Sequence, residues 1–325
     1  LLHRASDVHC WKSRPLEWLP AFPFRGISMT EESSQHVPVL EQEVLQLLAP
    51  SAGAILVDGT AGGGGHLRAL LQHVGPTGKV IAIDRDPQAI ERLRSRHEAP
   101  RVRLIRGSYA DLPEILDELQ IGGVDGVLLD LGVSSDQLAD PTRGFSFKVD
   151  GPLDLRFNPR AGEPAWRLIE RLRAQELADL IYAYGEERAS RRIARAIVQA
   201  RQRGPVRSSL QLAQIVRKSG ARRSRKERID PATRTFQALR IAVNQELQEL
   251  ETALHCLPDC LHASGRLAII SFHSLEDRRV KQAFRRDPRL TVLTKKPVSP
   301  GADELSRNPR SRSAKLRVAS KTETA

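Results

Sequence analysis

A short apolar run, Ala54-Ile-Leu-Val57, reaches an acid and dissolves into glycine: Asp58-Gly-Thr-Ala-Gly-Gly-Gly-Gly-His66. Helix-like spacing of apolar residues resumes at Leu67. This reads as a buried strand, a turn bare of side chains and a helix start, the arrangement that brings a ligand against backbone at the carboxyl end of a sheet. Consecutive glycines lose the most backbone freedom on folding, so a tight turn or a close ligand approach has to compensate. No other stretch narrows the choice of fold so far.

The spacing then chooses among ligands. A dinucleotide turn needs glycines at relative positions one, three and six before its helix. Counted from Gly59 the third position is Ala61, and counted from Gly62 the sixth is Leu67, so the register fails twice. A phosphate loop fails too, because no Gly-Lys-Ser/Thr follows. S-adenosyl-L-methionine carries no phosphates and remains. It needs an acid for its ribose hydroxyls, and Lys79-Val-Ile-Ala-Ile-Asp84 ends in one, about twenty residues past the last glycine.

Strands expected over 54–57, 79–84, 101–106 and 124–130 alternate with helices expected from Leu67 to Val74, over 88–97 and over 112–119. Such alternation predicts an α/β, doubly wound, mostly parallel sheet of Rossmann-like type. It stops at Leu131. From there to about Asp230 a polar, aromatic loop gives way to amphipathic helices. In one of them Ile193, Ala196, Ile197 and Ala200 form an apolar stripe, with Arg188, Arg191, Arg192 and Arg195 mostly off it. The α/β half resumes with a helix expected over 234–254, a strand over 265–270, the corner Ser271-Phe-His-Ser-Leu-Glu-Asp277, a helix over 279–284 and an edge strand over 315–318. The expected organisation is a core from 36–140 and 231–325 with an inserted helical domain, 141–230. Residues 1–35 read as a disordered extension; the only methionine is Met29, and the segment before it is expected to be dispensable.

Charge points to a partner. The net charge of +12 is concentrated in the insert, and Gly220-Ala-Arg-Arg-Ser-Arg-Lys-Glu-Arg228 reads as a loop whose cations meet phosphates. No apolar run reaches the length of a membrane span. Three cysteines in 325 residues exclude a disulfide framework and suit a reducing, cytoplasmic setting. His255, Cys256, Cys260 and His262 match no zinc spacing, and Pro258 is expected to break any helix aligning the cysteines, so no metal is assigned.

Asp130 ends the fourth strand at the edge shared with Asp84 and the glycines. Methyl transfer is an in-line displacement that depends on orientation and desolvation of the acceptor. An oxygen bonded to an exocyclic base amine draws electron density onto nitrogen and receives its proton. Asp130 is placed for that role or for a cofactor contact. Arg143, Phe145 and Phe147 offer a guanidinium and two rings of the kind that hold extruded bases, in a chain with 4% aromatics. His66 and His273 are the histidines nearest the expected cleft, and position alone does not make either a general base.

The motifs in order are Asp58-Gly-Thr-Ala-Gly-Gly-Gly-Gly-His66, Asp84-Arg-Asp-Pro87, Asp130-Leu-Gly-Val-Ser-Ser-Asp-Gln-Leu138 and Arg143-Gly-Phe-Ser-Phe147. Gly151-Pro-Leu-Asp-Leu-Arg156, Tyr184-Gly-Glu-Glu-Arg188, Pro231-Ala-Thr-Arg-Thr-Phe-Gln-Ala-Leu-Arg-Ile241, Ile270-Ser-Phe-His-Ser-Leu-Glu-Asp-Arg278 and Asn308-Pro-Arg-Ser-Arg-Ser-Ala-Lys-Leu-Arg317 follow. Together they closely resemble the bacterial MraW/RsmH family, the ribosomal RNA small subunit methyltransferases H, from about His36 to about Val318. The resemblance implies a class I methyltransferase core with a helical substrate domain inserted after the fourth strand. It implies S-adenosylmethionine-dependent N4-methylation of a cytidine in the decoding region of small-subunit ribosomal RNA, free or in the assembling subunit. Cofactor contacts carry over to Gly64, Gly65, His66, Asp84, Tyr109, Asp130 and Gln137, with Tyr109 where the family often has Phe. On the substrate side the candidates are Arg143, Phe145, Phe147, Arg234 and His273. Gly63 replaces a commonly basic residue, and Asp230 stands where His is usual. Asp130-Leu-Gly-Val takes the place of the Asp/Asn-Pro-Pro-aromatic motif of many amino-methyltransferases, so the resemblance does not itself assign the proton acceptor. A homodimer is left open. The competing readings are an NAD-dependent dehydrogenase, disfavoured by the glycine register, and a non-catalytic RNA-binding or assembly protein on the same fold.

Overall fold

The computed structural model describes residues 38–96, 100–220 and 230–323. The N-terminal extension and the basic run after Gly220 lie outside them. The first half alternates: α1 (Glu41–Leu48), β1 (Ile55–Asp58), α2 (Gly65–His73), β2 (Lys79–Asp84), α3 (Pro87–Arg96), β3 (Val102–Arg106), α4 (Leu112–Leu119) and β4 (Val124–Asp130). Then come α5 (Ser135–Ala139), α6 (Ala165–Arg171), α7 (Ala174–Gly185), α8 (Ser190–Arg203), α9 (Ser209–Lys218), α10 (Ala232–Asn244) and α11 (Glu246–Cys260). The chain closes with β5 (Leu261–Ser271), α12 (Ser274–Arg286), β6 (Leu290–Val292), α13 (Ala302–Arg307) and β7 (Lys315–Lys321).

The seven strands lie in the order β3-β2-β1-β4-β5-β7-β6, parallel from β3 to β5. Alternate residues of each strand serve opposite faces, as the two-residue period of a strand requires. Val57, Ile81, Ile83 and Val127 join a core with α4, α11 and α12. Leu56, Val80, Ala82 and Leu128 join another with α1, α2 and α3. Both faces are therefore covered, and the β1, β2 and β4 tips meet at one carboxyl edge with Asp58, Asp84 and Asp130.

A third apolar cluster belongs to the insert: Phe145, Leu168, Ile181, Ile193, Ile197, Leu212 and Val216 are all buried in it. Ala232, Phe236 and Leu239 of α10 join that cluster. α10 thus packs with the insert although it lies beyond residue 231.

Three local expectations are corrected. The single helix expected over 234–254 is two, α10 and α11, broken at Gln245, whose φ of 54° is left-handed. Asn244 explains the break, because its side chain bonds the Phe157 N–H (2.7 Å) and the Leu155 carbonyl (2.7 Å) of the insert. Pro258 does not end its helix: α11 runs on to Cys260, and the missing N–H leaves the Leu254 carbonyl without its i+4 donor in the C-terminal part of the helix. The expected edge strand is internal. β7 runs antiparallel between β5 and the three-residue β6, which is too short to show a period of its own.

Candidate functional site

A cleft opens at the carboxyl edge, with the glycine loop on one side and the insert's Phe157 on another. Two glycines shape the loop. Gly64 caps α2 at φ 83°, a left-handed conformation natural to glycine. A Cβ on Gly59 would stand 2.4 Å from Leu129 Cδ2 and 2.9 Å from Tyr109 Cβ, so the chain crosses β4 at the closest approach backbone allows. Gly62, Gly63, Gly65 and His66 line the cleft.

Asp84 ties the loop down. Its Oδ2 accepts from the Gly62 N–H (2.7 Å) and its Oδ1 from the Asp86 N–H (2.7 Å). Each carboxylate oxygen keeps a second lone pair for a hydroxyl. Asp58 is buried beneath the loop, with Oδ1 accepting from the Thr60 N–H (3.2 Å) and Oδ2 without a partner. Burial pushes both acids up to about 6. Asp130 Oδ1 and His66 Nε2 are likewise buried without hydrogen bonds. His66 Nε2 and Asp130 Oδ2 are 3.6 Å apart.

This chemistry suits one kind of tenant. Asp84 and Asp130 line the glycine-loop end of the cleft with Asp58 buried beside them, and Asp130 and Asp58 both favour the charged form of His66. A ligand bearing a sulfonium and an ammonium brings positive charge beside these acids; a dinucleotide pyrophosphate adds negative charge to acids already raised by burial. The residues present therefore fit S-adenosylmethionine: Asp84 keeps lone pairs for hydroxyls, Gly62, Gly63, Gly65 and His66 line one side of the cleft, and Tyr109 and Leu131 add apolar surface.

The other sequence candidates divide. Gln137 lines the cleft and is anchored, its Nε2 donating to Asp86 Oδ2 (3.0 Å) and its Oε1 accepting from the Ser134 N–H (3.1 Å). Arg143 does not face the cleft. Its Nη1 donates to Asp86 (2.7 Å) and its Nη2 to the Phe157 carbonyl (2.7 Å) and the Arg156 carbonyl (3.0 Å). Phe145 is buried on Phe157 (centroids 5.7 Å) and Phe147 packs on Phe236 (4.8 Å), both in the insert's core. Arg234 lies toward Glu187 (3.9 Å), away from the cleft lining. His273 caps α12, its Nδ1 accepting from the Glu276 N–H (3.4 Å). In this conformation Arg143, Phe145 and Phe147 are engaged inside the insert and its base, whereas the Arg234 side chain is 37% exposed and His273 Nε2 is buried without a hydrogen-bond partner.

Sequence reasoning passed over Phe157, the insert's ring at the cleft, and Asp86, a fully buried hub for Gln137 and Arg143. The available signal for Asp86 was its place in the motif Asp84-Arg-Asp-Pro87, two residues after Asp84. Arg240 was also missed: it lines the cleft, locked bidentate to Glu246 (2.8 and 2.8 Å). Cys256 and Cys260 lie one turn apart on α11, and burial raises both thiols. Among the described residues Glu246, His273 and Glu276 come within ligating distance of one another, but the Arg240 guanidinium already occupies both oxygens of Glu246.

The strand order, the glycine loop after β1, the acid closing β2 and the acid closing β4 define a class I S-adenosylmethionine-dependent methyltransferase. The family model described as the MraW methylase family matches residues 33–322, and the chain belongs to that family. A ribosomal RNA small subunit methyltransferase H of Thermomicrobium roseum is 49% identical over 307 residues, spanning 88% of this chain and 94% of the relative. The protein of the same name from Sorangium cellulosum is 51% identical over 288 residues, 88% of this chain and 90% of the relative. That from Trichlorobacter lovleyi is 48% identical over 312 residues, 89% and 99%.

Proposed function

We propose that this protein transfers a methyl group from S-adenosylmethionine to N4 of a cytidine in small-subunit ribosomal RNA. The relatives carry the name of that ribosomal RNA activity, and one observation in the site supports it most directly. Asp130 lines the cleft together with Asp84, and its Oδ1 is buried there without a hydrogen-bond partner. The cofactor supplies an electrophilic methyl group. Asp130 orients the acceptor amine, draws density onto its nitrogen and takes the leaving proton. Phe157 and Leu131 add apolar surface to the lining, which limits the water that can compete with carboxylate–amine bonding.

We further assign 36–140 and 231–325 to cofactor binding and 141–230 to RNA. The exposed Arg188, Arg191, Arg192 and Arg195 at the start of α8 offer phosphate contacts, while α10 carries the insert's packing into the core. Among the described residues no helix is long and apolar enough to cross a membrane. Calorimetry with S-adenosylmethionine and with NAD tests the cofactor, and NAD binding alone would overturn the reading. Mass spectrometry of small-subunit RNA from cells lacking the protein tests the product: N4-methylcytidine should be lost at one site, and its persistence would leave only a binding role.

A further inference from the structure

We propose that His66 is the proton store of the methyl-transfer site: it gives a proton to solvent as S-adenosylmethionine binds and takes up, through Asp130, the proton displaced from the acceptor amine. This rests on the reading of Asp130 as first proton acceptor. His66 stands at the second position of α2, lines the cleft and is 6% exposed. Its Nε2 has no hydrogen-bond partner and lies 3.6 Å from Asp130 Oδ2, so a small movement brings the two into proton-transfer range. Asp130 is two-sided: Oδ2 faces His66, while Oδ1 is buried and unpartnered.

The groups around the ring come from four elements. Asp58 from β1, Asp130 from β4 and Glu41 from α1 favour the imidazolium; burial and the N-terminal amides of α2, its own helix, oppose it. Burial is the largest single effect and lowers the imidazole, yet the three carboxylates together hold it above its ordinary value. With the cleft free of ligand, these carboxylates favour the charged form of the ring. A cationic cofactor in the same cleft satisfies those carboxylates instead and repels the imidazolium.

Transfer removes that competition. The C–S bond breaks with its electrons remaining on sulfur, and the N–C bond forms with the nitrogen lone pair. The amine proton passes to Asp130 and on to His66 Nε2, whose affinity for it returns once the sulfur is neutral. The next cofactor to bind sends the proton to solvent, and the cycle closes without another acid or base.

Calorimetry on the full chain, in two buffers of different protonation enthalpy, measures the release. At about pH 7.5, where acids near 6 are already ionised, up to about one proton should leave per S-adenosylmethionine bound and distinctly less per S-adenosylhomocysteine. His66→Asn should abolish the difference. Equal proton counts for the two ligands in the unaltered protein, or a difference that survives His66→Asn, would overturn the store. Should His66→Asn fail to bind, Asp58→Asn decides, because removing that carboxylate must move maximal release to lower pH, and an unmoved maximum refutes the proposal. Uptake is tested in single turnovers: the rate should fall as pH drops through the His66 titration, and His66→Asn should flatten that limb. An unchanged limb refutes the uptake step. Absence of heat with either ligand would instead sink the cofactor reading itself.

Discussion

Asp86 and Arg143 meet 2.7 Å apart across 57 residues of chain, and neither side chain is more than 5% exposed. The pair joins the turn after β2 to the first loop of the insert, and Gln137 completes it from α5. The wall of the cofactor cleft and the base of the insert are thus one buried polar network.

Breaking one partner of such a pair strands a charge in the interior. Arg143→Ala should cost about 3–5 kcal/mol of stability in chemical denaturation. Asp86→Ala should cost a similar amount, and the double substitution clearly less than the sum. Additive losses would show that the network is not coupled.

Asp84 holds the glycine loop by its Gly62 bond and leaves lone pairs for a ribose. Removing a charged hydrogen-bond acceptor typically forfeits about 1.5–3 kcal/mol, so Asp84→Ala should weaken S-adenosylmethionine binding roughly ten- to hundredfold in calorimetry. Asp84→Asn should fall between that variant and the unaltered protein.

Asp58 has a folded pKa of about 6, above the unfolded value near 4. The folded state therefore binds more protons than the unfolded state between those values. Stability from this group is full at about pH 4 and declines as pH rises through 6, by up to about 3 kcal/mol. Asp58→Asn should raise the melting temperature of the ligand-free protein at neutral pH while weakening cofactor binding. Equal melting curves at pH 4 and 7 for both proteins would contradict this.

Gly59→Ala places a methyl group where Leu129 and Tyr109 already stand. Overpacking of this kind costs about 1–3 kcal/mol, and the displacement of Tyr109 should lower cofactor affinity as well. Thermal melts with and without S-adenosylmethionine separate the two effects.

Arg191 and Arg195 lie exposed at the start of α8. Reversing both to Glu should weaken RNA binding and reduce the slope of log affinity against log salt by about two. Unchanged slopes would make this face plain solvated surface.

The core was legible because its signals are local. The β1 run, the glycines and Asp84 follow one another within some thirty residues, and parallel strands buried on both faces announce themselves as apolar runs. The insert was legible as helices but not as a packed unit. Nothing local to Arg143 or Phe145 shows that their partners are Asp86 and Phe157. An arginine followed by two phenylalanines has the composition of a base-binding loop and equally that of an anchor; only the distant partners decide. Asn244, which splits α10 from α11, is invisible for the same reason, since its bonds reach back to Leu155 and Phe157. The Glu246–Arg240 lock depends on that break.

The place of β7 in the sheet bears on how the protein is made. Its backbone fills the gap between β5 and β6, and Leu316, Val318 and Ala319 are fully buried there. While residues 315–321 are still inside the ribosome, β5 is an open edge and β6 has no neighbour. The sheet carrying the cofactor site is not whole until residues 315–321 have been made and have emerged, and until then a long apolar strand is exposed to whatever else is folding nearby.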